Sequence, residues 1–191
     1  TGAVSGVGAT AASGLYTALS AIPVWGWVAM AGVAVAAIFG GDRGGPKSGG
    51  SFSTTGERLF TPNTADAIAT QIGDSLNTSI SRMLTNFGAS SSRLQFGIGF
   101  DQDPQGKADN RIASFLRDAE GRSILDNTAG RNVGRDDATL QSELTTETKR
   151  LMLAALQAVG PTLEDGFGEI FARLDPATAA PEAIDNLFTL A

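Results

Sequence analysis

The side chains most often found at reaction centres are scarce in this sequence. Among its 191 residues there is neither Cys nor His. That excludes thiol nucleophiles, disulfide frameworks, Cys or His metal sites and any acid–base pair built on imidazole. Carboxylates, guanidiniums and hydroxyls remain. The best-spaced oxygen donors are Asp101, Asp103 and Gln105, followed by Gly106, which together look like the start of a calcium loop. The twelfth position of an EF-hand loop carries Glu, and here it is Ile112. With Pro104 and Asp109 the segment reads as turn chemistry, so no metal is assigned. No GxxxxGK[ST] run occurs, and Gly2, Gly6 and Gly8 do not form a dinucleotide fingerprint. Neither a cofactor nor a catalytic residue is expected, and the chain is read as a non-enzyme.

Guanidinium chemistry is better represented, because Arg outnumbers Lys 11 to 3. Arg93, Arg111, Arg117 and Arg122 fall where strands are expected and suit bidentate contact with a neighbour's carboxylates. Solvated faces and local ion pairs account for them equally well. The net charge of −6 provides no overall basic field for nucleic acid.

The elements that must carry these groups divide sharply by charge. Residues 1–41 hold no Asp, Glu, Lys or Arg, and all 34 charges follow them. Residues 22–40, IPVWGWVAMAGVAVAAIFG, form a 19-residue run without charge, close to the ~20 residues that span a bilayer as a helix. Trp25 and Trp27 sit near one end, where amphipathic rings favour a membrane interface. Gly32, Ala36 and Gly40 recur every four residues and would make a smooth helical stripe for close packing against another copy. Three settings stay open for this arm: burial in an oligomer or assembly, membrane insertion at some stage, or a monomer's core. Residues 42–50, rich in Gly with one Pro, read as a linker.

The fold expected is α+β. An uncharged Gly/Ala-rich apolar helical arm (1–41) precedes a body (51–160) of a small antiparallel β meander with amphipathic helices, and a helical segment follows (161–191). Residues 51–61 suggest a short hairpin, with Phe52 and the pair Leu59–Phe60 flanking a turn at Thr55–Gly56. Residues 64–87 carry Ile68, Ile72, Leu76, Ile80 and Met83 at helical spacing. Asn63 or Thr64 can cap this helix and Gly88 can end it. Residues 93–101 alternate as a strand, with Leu94, Phe96, Ile98 and Phe100 on one face and Gln95, Gly97 and Gly99 on the other. The two glycines leave that second face flat enough for a helix, a sheet or another subunit. Residues 110–126 are ambiguous: Ile112, Phe115, Leu116 and Ala119 fit a helix, but a hairpin turning at 118–121 is favoured, and a polar loop follows at 130–135. A helix capped by Asp136 or Asp137 runs to about Val159, and Ile184, Leu187 and Phe188 suggest a last amphipathic turn.

The strand and turn FGIGFDQDPQGKADNRI, the hairpin end GRSILDN, then GRDDATLQSEL and RLMLAALQA together resemble the C-terminal part of tape measure proteins of long-tailed bacteriophages. The upstream IFGG followed by GGPKSGG is similar to that family as well. The resemblance spans 29–159 and rests on structural motifs; residues 160–191 lie outside it. It implies a C-terminal piece of a longer chain that sets tail length and sits in the lumen of the tail tip. It also implies three copies against distal tail, hub and tube proteins, with an apolar segment that enters the host envelope during genome delivery. The alternative is a membrane-inserting pore-forming protein with a soluble α+β body.

Overall fold

A computed structural model describes residues 49–60, 66–86, 88–89, 94–102, 108–160 and 167–190 of the chain. The apolar arm, with Trp25, Trp27, Gly32, Ala36 and Gly40, lies outside the described residues, as do Arg93, Asp103 and Gln105.

The described body is α+β. Strand β1 (Gly50–Ser53) precedes helix α1 (Asp66–Asn86), which leads to β2 (Gln95–Asp101), β3 (Arg111–Arg117) and β4 (Ser123–Asn132). Helices α2 (Asp137–Val159), α3 (Phe167–Phe171) and α4 (Pro181–Leu190) complete it. The four strands form one antiparallel sheet in the order β1-β2-β3-β4. Helix α1 lies on β1 and β2, α2 lies on β3 and β4, and both cover the same face.

The register explains why that face is apolar. Phe96 pairs with Leu116, Phe100 with Ile112, and Phe52 with Ile98, so one side of the sheet is nearly continuous hydrocarbon. Phe96, Ile98 and Phe100 are buried there beneath the helices. Leu94, one residue before β2, is half-buried and packs against the same cluster. Helix α1 meets the sheet through Ile72, Leu76, Ile80 and Met83, all buried. Glycine at 73 lets it come close, because a Cβ there would lie 1.9 Å from Cγ of Phe52. Residues 151–156 of α2 are buried on every side of the helix, as a helix hydrophobic all round requires. The sheet covers one side, and α3 and α4 cover another with Phe171, Ile184 and Leu187. Asp136 caps α2, its carboxylate accepting from the Thr139 amide at 2.7 Å.

Two local expectations are corrected. Residues 51–61 are not a hairpin: β1 pairs with β2 instead, and the Thr54 amide donates to the Phe96 carbonyl at 2.9 Å. Phe52 faces α1 while Phe60 lies on the opposite side of the sheet by Gly99, so the two never belonged to one ladder. Residues 130–135 are not simply a polar loop. Strand β4 runs on to Asn132, and Val133 is buried, its amide donating to the Asn110 carbonyl at 2.8 Å. The pairing skips from Ile112–Arg131 to Ser114–Asn127, and Gly130 takes φ +78 within this irregularity. Glycine tolerates that conformation and lets the strand resume. At the other end of the hairpin, Gly121 with φ +79 closes the turn between β3 and β4.

Candidate functional site: the outer face of the sheet

The sheet face away from the helices carries Arg111, Arg117 and Asp101. By register it presents Gln95, Gly97, Gly99 and Asp101 from β2, and Arg111, Ala113, Phe115 and Arg117 from β3. The glycine rows are filled from within the chain. A Cβ at position 97 would lie 2.5 Å from the Phe115 ring, and one at position 99 would lie 3.2 Å from the Phe60 ring. The flat strip that could have admitted a helix or a second subunit therefore holds two phenyl rings.

Residues 54–60 cross this face. At one end Arg117 grips Glu57 with both terminal nitrogens, at 2.5 and 3.3 Å. The same guanidinium lies 4.2 Å from the Phe115 ring centroid. The Glu57 hydrogen bond raises the Arg117 pKa above its already high ordinary value. At the other end Arg111 sits over Phe60, 5.6 Å from the ring centroid, and donates to the Ala129 carbonyl at 2.6 Å. Beside it opens a polar depression of about 490 Å³ lined by Arg58, Leu59, Phe60, Asp101 and Arg111. Asp126 lies across from Phe115. Its carboxyl is held below the ordinary range by hydrogen bonds from the Thr128 hydroxyl and amide, with Arg117 adding to the effect.

Arg111, Arg117 and Arg122 are thus engaged within the chain. Arg117 takes a carboxylate bidentately, but the carboxylate is Glu57. Arg122 pairs with Asp118 at 2.6 Å across the turn. A second polar cluster lies between sheet and helix. Ser114 Oγ donates to Glu147 Oε1, and both residues are buried. Arg131 of β4 and Arg150 of α2 reach Glu147 Oε2 at 3.4 and 3.5 Å. Arg150 also donates twice to the Ala179 carbonyl, at 3.2 and 3.1 Å, which ties the C-terminal segment to the same cluster. Asp101 stands across from Arg111 at the end of β2. Among the described residues no group of three or more Asp or Glu is arranged to hold a metal. Nor is any helix among them long and apolar enough to cross a membrane.

Glu57 and Glu147 are site residues not expected from the sequence, and Phe60, expected in a hairpin, belongs instead to a strap formed by residues 54–60. The strap is invisible locally because its partners lie far along the chain. Glu147 did leave a signal. It falls at helical spacing between Leu144 and Leu151, on the buried face, and Ser114 likewise interrupts the apolar alternation of β3. Two polar residues on opposed core faces had to find each other. Comparison with family models, curated proteins and solved structures finds no match to this chain.

Proposed function

We propose that this chain is a structural component of the tail tip of a long-tailed phage, the C-terminal region of a tape measure protein. It sets tail length during assembly, fills the lumen of the tip and helps the genome across the host envelope. The observation that carries the reading is the division of the chain. Residues 1–41 hold no charge, and every charge of the chain lies beyond them, in the Gly-rich stretch, the body and the C-terminal segment. Such an arm suits packing against copies of itself about an axis, where small residues permit close approach. The body's buried polar groups serve to fasten its own layers, which supports a scaffold role over catalysis. Its partners in this reading are two further copies of itself, the distal tail, hub and tube proteins, and the host membrane on infection.

A second reading is favoured by the 19-residue uncharged run at 22–40: a pore-forming protein whose arm enters lipid. It requires a monomer in solution and leakage from liposomes by the isolated chain. Electron cryo-microscopy of tails assembled with the chain separates the two. Three copies on the axis, inside a ring of tube and hub proteins, are expected. Tails that complete without the chain, or that carry it on their outer surface, contradict the proposal.

A further inference from the structure

Residues 54–60 are held by an ion pair at Glu57 and by ring contacts at Phe60, and we propose that they form a salt-sensitive latch. When it is closed, the strap delivers Arg58, Leu59 and Phe60 to the depression beside Asp101 and Arg111. When it is open, that depression is dismantled and the Gly99 row loses its phenyl cover. The hinge is marked. Thr54 is stitched to Phe96 by its amide and its hydroxyl. Gly56 then turns the chain with φ +77, a conformation other residues resist. Beyond it Glu57 grips Arg117 from a half-exposed position, with 39% of its side chain open to solvent. An ion pair that open to water is weak and screened by salt.

Arg117 is provided for in both states. It keeps the Phe115 ring beneath it when Glu57 leaves, and the Asp126 carboxylate already contributes to its field. Opening therefore strands no buried charge, and its cost lies in baring the half-buried Leu59 and Phe60 side chains. Arg111 is steadied in the same way, because its bond to the Ala129 carbonyl does not involve the strap.

Trypsin reads the latch directly, since it cleaves after Arg58. The full chain is digested under native conditions, and cleavage after Arg58 is measured relative to cleavage after exposed Arg173. Arg117→Gln, which leaves the cleavage sequence untouched, should raise that ratio about threefold. Raising salt from about 0.02 M to about 0.5 M should do the same in the wild type and nothing further in Arg117→Gln. Hydrogen exchange at residues 54–60 in Glu57→Gln, from the other side of the pair, should quicken to a similar degree. An unchanged ratio in Arg117→Gln, an equal salt response in both proteins, or unaltered exchange in Glu57→Gln overturns the proposal.

Discussion

The hydroxyl of Ser114 on β3 donates to the carboxylate of Glu147 on α2, and this bond pins the helix layer to the sheet from inside the core. Only 3% of the Glu147 side chain is exposed. A carboxylate there is tolerable because Arg131 and Arg150 share its charge. Without Glu147 the Ser114 hydroxyl loses its partner inside the core, while Arg131 keeps Glu143 at 2.8 Å and Arg150 keeps the Ala179 carbonyl. Glu147→Ala should therefore cost about 1–3 kcal/mol in urea unfolding. Glu147→Leu combined with Ser114→Ala, which removes both buried partners, should recover part of that loss.

Helix α1 rests on β1 through the contact between Gly73 and Phe52. Alanine at 73 improves helix propensity by about 1 kcal/mol. The added Cβ cannot fit without moving the ring, and overpacking of this kind costs about 1–3 kcal/mol. The net effect of Gly73→Ala should be destabilising by up to about 2 kcal/mol. Gly73→Ala with Phe52→Leu should be more stable than Gly73→Ala alone, a comparison made by thermal unfolding.

Phe96 is buried on the helix side of β2, paired with Leu116, its ring centroid 5.8 Å from that of Phe52. Phe96→Ala should cost about 3–5 kcal/mol, because it opens a cavity at the centre of the core. A loss below about 1 kcal/mol in urea unfolding would contradict that packing.

Strong local periodicity made much of this body legible. Strand β2 announces itself by alternation at Phe96, Ile98 and Phe100, and α1 by the spacing from Ile72 to Met83. Asp118 to Gly121 marks the turn joining β3 to β4. Where the sequence misleads, a distant partner decides. Nothing near Phe52 says that its ladder partner is Ile98, with all of α1 between them. Nothing near Glu57 names Arg117. The polar stretch at 130–135 conceals the end of β4, because one glycine at positive φ absorbs the irregularity. The Ser114–Glu147 pair was within reach, since each residue breaks an apolar pattern at a core position.

Acid should loosen the start of α2. The Thr139 hydroxyl and amide hold the Asp136 carboxyl below its ordinary value of 3.8. A carboxyl lowered on folding contributes stability that is complete well above its unfolded pKa. That contribution begins to fall near pH 3.8 and is lost as pH drops through the lowered folded value. Asp136→Asn keeps the capping geometry but cannot titrate there. Its unfolding midpoint should fall less steeply than the wild type's between about pH 5 and pH 3. Identical slopes would remove Asp136 from the acid response.

In the proposed tail-tip role, copies of this chain assemble through the uncharged arm. Native mass spectrometry of the intact chain measures that most directly. A species at three times the 19.6 kDa chain mass is expected. Gly32→Leu with Ala36→Leu should shift the population toward monomer, because bulk on that stripe prevents close approach. A wild-type monomer, or a trimer indifferent to the double substitution, would contradict it.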